Sequence, residues 1–408
     1  MLLSFLQRRI LSPYLTVIGY VKMADGLGRQ SVELIKTFKD DVRVSFHKTR
    51  GDREKSYEDV DSQIISLLNR KYKKPGKILI FEDYEYFNKP KIEKILTKIK
   101  DRKKHIFLAY TMFESTMAPK NWIEIFNEYF DAIVVPDPYQ IEIFQSSGIK
   151  IPVFCLPLGL YLNEYMEQPL KREKNNPFIF ANFSSFDPRK NHIGLVRAFA
   201  KAFGNSQDVL LKLNFRFNVF GTKEAVLEEI NRLGLSNVKI SGKSLPKKEY
   251  IEAFKDVDCY VNLSKGEGFS IQPREAMALG IPVIVTDNTS QHTIAQTKLV
   301  RAVPSKIQEP AYFPHIDQLC GFHFNFEVDD AAAALQDVYI NYEKYLSHAK
   351  AARNWAKQYE FSNLKKYYRS LIMPAKIVLG EKNEITENYL MTNSKNLYEK
   401  YKNLSKSL

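Results

Sequence analysis

The strongest constraint on this chain is an alternation that occurs twice. Short runs that are apolar on both faces, rich in β-branched and aromatic residues, are separated by amphipathic stretches of about 10 to 15 residues. In the first half the runs are TVIGYV from Thr16, VRVSFH from Val42, KILIFED from Lys77, HIFLAYT from His105, DAIVVPD from Asp131 and IPVFCLPLG from Ile151. Stretches such as SVELIKTF and SQIISLLNR lie between them with helical spacing. A strand without a solvent face must sit in a parallel sheet covered by helices on both sides. Residues 160–176 are polar, contain Pro169 and show no period, so they read as a linker. The alternation then resumes with FIFANFSS (Phe178), FNVFG (Phe217), NVKISGK (Asn237), DCYVNLSK (Asp258) and IPVIVTD (Ile281), and ends in a long helical region over about 329–371. The expected fold is α/β: two doubly wound, Rossmann-like domains facing a cleft, 1–165 and 166–375, with a charged, weakly helical tail at 376–408. A length of 408 residues suits two cores better than one.

The net charge of +13 admits three kinds of partner: nucleic acid, an anionic membrane surface or an anionic small substrate. The lysines are scattered rather than striped with aromatics, and no nucleic-acid-reading motif is present, so nucleic acid is not expected. Cys155, Cys259 and Cys320 are far apart, without the spacing of a zinc or redox site, and read as buried thiols in a reducing compartment. The opening MLLSFLQRRILSPY carries its arginines behind its apolar start, unlike a signal peptide. No run approaches the ~20 residues that span a bilayer. A cytoplasmic protein is expected, with peripheral membrane contact open to the amphipathic first segment. The histidines show no metal spacing, and Asp59-Val60-Asp61 and Asp256-Val257-Asp258 read as solvated turn acids rather than metal ligands.

Ligands of doubly wound sheets sit beyond the carboxyl ends of the strands, so the loops there decide function. The segment SKGEGFSIQPREAMALGIPVIVTD, 264–287, places Glu267 on a glycine turn and Glu275 on the helix that follows. Gly268 lets the backbone approach a ligand closely, Pro273 suits a first helical turn, and Gly280 closes the helix. The amides from Phe269 to Gln272 then form an anion site at a helix N-terminus, with both acids facing one cleft. In Asp187-Pro188-Arg189-Lys190-Asn191, two adjacent cations at a helix start oppose the helix dipole unless an anion lies there. Gly26, Gly28 and Arg29 follow the first strand in VKMADGLGRQSVELI, a weaker glycine loop. Glu114 follows the fourth strand, ahead of Pro119 and Trp122, whereas His105 opens that strand and lies at its wrong end.

The EGFSIQPREAMALGIPVIVTD stretch resembles the E-x7-E segment of retaining glycosyltransferases of the GT-B fold, family four (glycosyl transferases group 1), and the order of elements follows that family over most of the chain. The resemblance implies transfer of a sugar, of hexose type, from a nucleotide-sugar donor to a hydroxyl of a glycan, glycolipid or other glycoconjugate, without cofactor or metal. It assigns Glu275 to the ribose hydroxyls, Glu267 to the donor sugar, and the amides of Phe269, Ser270 and Ile271 beyond Gly268 to diphosphate and sugar. Lys190 becomes part of the diphosphate clamp. The family's arginine five residues earlier is here Ser185, so Arg189 takes its place. Gly26, Gly28 and Arg29 fall across the cleft near diphosphate and acceptor, and Gly242 and Lys243 near the base. Glu114 stands where the family often has a histidine, at donor sugar or acceptor. A sugar-nucleotide epimerase of the same fold and a catalytically inactive sugar-nucleotide-binding protein are the alternatives.

Overall fold

The apolar runs assemble into two parallel sheets. In the computed structural model of the chain, β1 (Leu15–Gly19), β2 (Val44–Lys48), β3 (Ile78–Glu82), β4 (Ile106–Tyr110), β5 (Ala132–Val135) and β6 (Val153–Cys155) lie in the order β2-β1-β3-β4-β5-β6. A second sheet holds β7 (Phe178–Asn182), β8 (Val209–Asn214), β9 (Val238–Ser241), β10 (Cys259–Asn262), β11 (Val283–Asp287) and β12 (Arg301–Pro304), in the order β12-β11-β10-β7-β8-β9. The structure describes residues 13–22, 26–51, 57, 60–70, 74–83, 88–96, 99, 102–170, 173–243, 245–372 and 395–405; the amphipathic expectation for 1–12 and the tail at 376–394 lie outside them. Every residue of β1, β3, β4, β7 and β10 is buried, which is why these runs carry no polar alternation. Winding reverses between β7 and β10 in the second sheet, the topological switch point where ligands of such sheets sit.

Several expectations need correction. The strand read at Phe217 is a loop; the strand lies earlier, in VLLKLN, residues Val209–Asn214, which sits between β7 and β9 and alternates buried and half-buried positions. Phe217 and Phe220 are exposed instead, and Phe220 has a positive φ of 52° that no strand accepts. An antiparallel hairpin, β13 (Ile307–Phe313) and β14 (Gln318–Asn325), follows β12 and was hidden by Pro304, Pro310 and Pro314. The long helical region is four helices, Val328–Ile340, Tyr342–Ser347, Ala349–Ala356 and Phe361–Ile372. Asp258 is fully buried rather than solvated, accepting from Asn175 N at 2.9 Å and Ile179 N at 2.7 Å.

The chain crosses between the halves twice, side by side. Leu160 N donates to Tyr359 O at 2.8 Å and Phe361 N to Leu160 O at 2.9 Å. Gly159 is obligatory here, since a Cβ on it would stand 1.9 Å from the Phe361 ring. The Phe361–Ile372 helix, grouped with the second half by sequence, packs on the first: Tyr368 donates to Pro157 O at 2.6 Å and Tyr14 to Ile372 O at 2.9 Å. The linker packs its apolar residues and exposes its polar ones, among them Glu164, Glu167 and Lys174. Leu160, Leu162 and Tyr165 are buried, and Arg353 ties Met166 O and Gln168 O to Ala278 O and Leu279 O.

One buried ion pair joins the halves. Arg274, on the second-domain helix Ile271–Leu279, is wholly buried with its Nη2 3.3 Å from Asp137 Oδ2. Asp137 also caps the first-domain helix Pro138–Ser146 and accepts from Thr293 Oγ1 at 3.0 Å. The guanidinium lies 4.0 Å from the Phe269 ring centroid and 4.6 Å from that of Tyr359. Removing one partner of such a pair strands the other charge without water. Asp137→Ala is therefore expected to lower unfolding free energy by about 3–5 kcal/mol, measured by urea denaturation. A loss below about 1 kcal/mol would show that the pair does not hold the domains.

Candidate functional site

The carboxyl ends of both sheets open onto a cleft of about 1430 Å³. The β10 turn enters it through Gly266, where a Cβ would stand 2.1 Å from Glu114 O, so no other residue lets the two domains meet this closely. Ser270 then takes a left-handed conformation, φ 63° and ψ 70°, immediately before the Ile271–Leu279 helix. A non-glycine residue in that region carries strain of order 1–3 kcal/mol, tolerated where the surroundings dictate it. The Ser270 hydroxyl is buried and has no hydrogen-bond partner, and the helix N-terminus opens beside it.

Charge concentrates on this turn. Lys190 Nζ is 2.6 Å from Glu267 Oε1, and Arg189 Nη1 is 3.4 Å from Glu267 Oε2. Arg189 also donates to Gly266 O and reaches across the cleft to Glu114 Oε1 at 3.7 Å. Burial works against ionising Glu267, but Lys190 and Arg189 overcome it and hold its carboxyl below the ordinary range. Burial, with Arg189 adjacent, depresses Lys190 despite the attraction of Glu267. Glu275 is buried a turn further on, accepting from Tyr250 OH at 3.2 Å with Arg29 Nη1 at 3.7 Å.

The first-domain helix Gly26–Phe38 faces this arrangement end-on. A Cβ on Gly26 would stand 3.1 Å from Ile271 Cδ1, so two helix N-termini oppose each other across the cleft. Both project positive potential into the same space.

Of the residues singled out in the sequence, Glu267, Glu275, Lys190, Arg189, Glu114, Gly268, Phe269, Ser270, Ile271, Lys243, Gly26 and Arg29 all line the cleft. Gly28 does not; it begins no open loop but sits in the first helical turn, where a Cβ would meet Lys22 N at 2.8 Å. Gly242 lies behind Lys243, against the Phe215 ring. Glu114 does not cap the next helix, whose N-cap is Pro119; it pairs with Arg189 instead. His105 contacts Gly76 O at the opposite end of its strand. Sequence reasoning missed Tyr165, Tyr250, Arg216, Phe217 and the hairpin residues Tyr312 and His323, all cleft-lining. Phe217 was findable, since FRFNVF sets one cation, Arg216, among three aromatics at a strand end. Among the described residues no group of three or more His, Cys, Asp or Glu is placed to hold a metal ion, and no helix is long and apolar enough to cross a membrane.

Residues 164–309, which include both acids of the turn and the Arg189-Lys190 pair, match the model of the family described as Glycosyl transferases group 1. An uncharacterized protein of Sulfolobus islandicus rod-shaped virus 1 is 20% identical over 273 residues, covering 64% of this chain and 74% of the viral protein. The crystal structure of HepE from Anabaena, in complex with UDP and glucose, aligns with a TM-score of 0.66 at 13% identity, covering 88% of this chain and 99% of HepE. Sucrose-phosphate synthase from Thermosynechococcus elongatus aligns at 0.64 with 13% identity and the same coverage, 88% and 99%. A glycosyltransferase from Rickettsia africae gives 0.65 at 15%, covering 90% and 99%. These alignments span both domains and place the chain in the GT-B architecture.

Glu33, wholly buried on the Gly26–Phe38 helix, supplies a pH-dependent test of this wall. Burial pushes its carboxyl up to about 7, against the pull of Lys36, Arg29 and Lys247 and with Glu82 nearby. The folded state thus holds a proton that the unfolded chain releases near the ordinary carboxyl range, and stability falls as pH rises from about 4.5 to about 7. Glu33→Gln should remove its share of that slope, leaving the part due to buried Glu82, and gain about 3 kcal/mol over the wild type at pH 8 and little at pH 4. Thermal or urea unfolding across that range reads it, and parallel profiles for the two proteins would refute it.

Proposed function

We propose that this chain, whose residues 164–309 match the model of glycosyl transferases group 1, moves a sugar from a nucleotide-sugar donor to an acceptor hydroxyl with retention of anomeric configuration. One observation carries the reading: Arg189, Lys190 and the N-terminus of the Ile271–Leu279 helix converge at the β7/β10 switch point, with Glu267 and Glu275 on either side of the turn. That is a seat for a diphosphate with one carboxylate toward the sugar and one toward the ribose. HepE, solved with UDP-glucose, is similar over both domains, which supports a nucleotide sugar as the donor.

During transfer the bond from the anomeric carbon to the β-phosphate oxygen breaks and a bond to the acceptor oxygen forms. The acceptor proton passes to the departing phosphate, so the chain need supply no dedicated base. Developing charge on the β-phosphate meets Lys190, Arg189 and the amides from Phe269 to Ile271, and we assign no metal to that task. Glu275 and Tyr250 hold the ribose, Lys243 faces the base, and Glu114 with Arg29 faces sugar and acceptor. The basic balance suits a glycan or glycolipid acceptor carrying negative charge. Three free thiols suit a reducing, cytoplasmic setting, with membrane contact peripheral. Rotation of the domains about 160–176 would exclude water from the bound donor.

Two measurements test this. A donor present at a hundred times its dissociation constant should stabilise the fold by about 2.7 kcal/mol in a thermal-shift panel of nucleoside diphosphates and nucleotide sugars. Silence across the panel would sink the reading. With the donor so identified, Lys190→Ala should lower turnover at least about a hundredfold while the thermal midpoint without ligand stays within a few degrees. Turnover within threefold of wild type would remove Lys190 from the chemistry.

A further inference from the structure

The β13–β14 hairpin lies almost wholly beyond the segment that matches the family. It leaves the β12 edge of the second sheet and docks on the first domain. Ala311, Phe313 and Cys320 are buried in the first-domain core with Phe113 and Trp122, and the Phe113 and Phe313 rings are 4.6 Å apart. Thr116 N donates to Phe322 O at 3.1 Å, Phe322 N to Thr116 Oγ1 at 2.9 Å, and Ser115 Oγ to Cys320 O at 2.6 Å. These bonds fasten β14 to the loop that carries Glu114. The next residue along the strand, His323, lines the cleft.

Three elements meet at this point. A Cβ on Gly266 would stand 2.1 Å from Glu114 O and 3.3 Å from His323 Cδ2, so the turn leading to Glu267, the Glu114 loop and the imidazole are in mutual contact. The Phe313 ring, 5.4 Å away, holds the imidazole from behind. His323 Nε2 is buried and has no hydrogen-bond partner. Burial, reinforced by Arg189 and Lys265, lowers its pKa to about 4, so the ring is neutral near pH 7, with one nitrogen donating and the other accepting. A neutral imidazole suits a hydroxyl better than an anion.

Strand order says which part of the donor it meets. With the diphosphate at the β7/β10 switch point and Lys243 on the β9 side, the base lies toward β8 and β9 and the sugar toward β10, β11 and β12. The hairpin grows from that second edge. We propose that His323 is a specificity-determining residue that hydrogen-bonds a hydroxyl of the donor sugar beside Glu114 and Glu267. The hairpin thereby brings an imidazole into the sugar end of the cleft from the second domain, on the side where the first domain offers a carboxylate. This rests on the glycosyltransferase reading.

The test separates the two claims by comparing nucleoside diphosphates with their sugars. UDP, GDP, UDP-glucose, UDP-N-acetylglucosamine and GDP-mannose are titrated calorimetrically into the wild type, His323→Phe and His323→Gln. The phenyl ring keeps the packing on Phe313 without a polar atom, and the amide of glutamine restores one near the Nε2 position. For the nucleotide sugar that the wild type binds, His323→Phe should weaken affinity about tenfold, with affinity for the bare diphosphate unchanged and His323→Gln recovering most of the loss. An equal loss for diphosphate and sugar, or no loss for the sugar, overturns the His323 assignment alone. Absence of binding to the wild type by every nucleoside diphosphate of the thermal-shift panel, UDP and GDP included, overturns the glycosyltransferase reading along with it.

Discussion

The site is organised by the need to hold like charges together. Two helix N-termini oppose each other across the cleft, and Arg29, Arg189 and Lys190 stand between them. Unit charges 4 Å apart at an effective dielectric of 20 interact by about 4 kcal/mol, so this cluster would repel itself without acids among it. Glu267 lies between Lys190 and Arg189, Glu275 beside Arg29, and Glu114 at the far end of Arg189. Each acid stabilises the cation that an incoming anion would meet. On the proposed function, a diphosphate would bring its own negative charge, relieve the cations and leave the carboxylates to accept from sugar hydroxyls. The same ion pairs thus hold the cations of the cleft in place.

Such a balance requires the two domains to be registered closely, and three contacts do this. Arg274 and Asp137 lie deep behind the glycine turn, the paired crossings at Leu160 and Phe361 lie at the base, and the hairpin closes the β12 side. The ion pair is the least forgiving of the three. Apolar surfaces slide past one another at modest cost, whereas separating Arg274 from Asp137 leaves both charges in a medium that solvates neither. Motion that opens the cleft must therefore keep that pair together and pivot near it. Since Arg274 adjoins Glu275 and accompanies Phe269 and Ser270, the contact that fixes the domains also fixes the helix N-terminus of the site.

Much of this was legible in the sequence, for a physical reason. Strands of a parallel sheet are apolar on both faces, and loops at their carboxyl ends carry glycine, proline and charge where backbone must approach a ligand. KGEGFSIQPRE shows every one of those marks, and Glu267, Ser270 and Glu275, read from them, line the cleft. The Phe361–Ile372 helix was misassigned because its amphipathic face reports that it packs, not upon which domain. The hairpin escaped because three prolines in 304–314 argue against strands, although an edge hairpin tolerates them. Asp258 passed for a solvated acid because its partners, the Asn175 and Ile179 amides, are some 80 residues away in the chain.

What was legible and what was not divide along the chemistry of the ligand. A diphosphate is recognised by charge and by amides at a helix N-terminus, which demand fixed positions at strand ends and therefore leave a dense local signature. A sugar or an acceptor is recognised by neutral hydrogen bonds and by exposed rings, which a loop or hairpin can deliver from either domain. In this chain the cleft-lining groups of that kind are the Glu114 loop, the exposed Phe217 beside Arg216 and Lys22, and the β13–β14 hairpin with His323. Each is an excursion from the sheet, anchored by a few contacts that lie far apart in sequence.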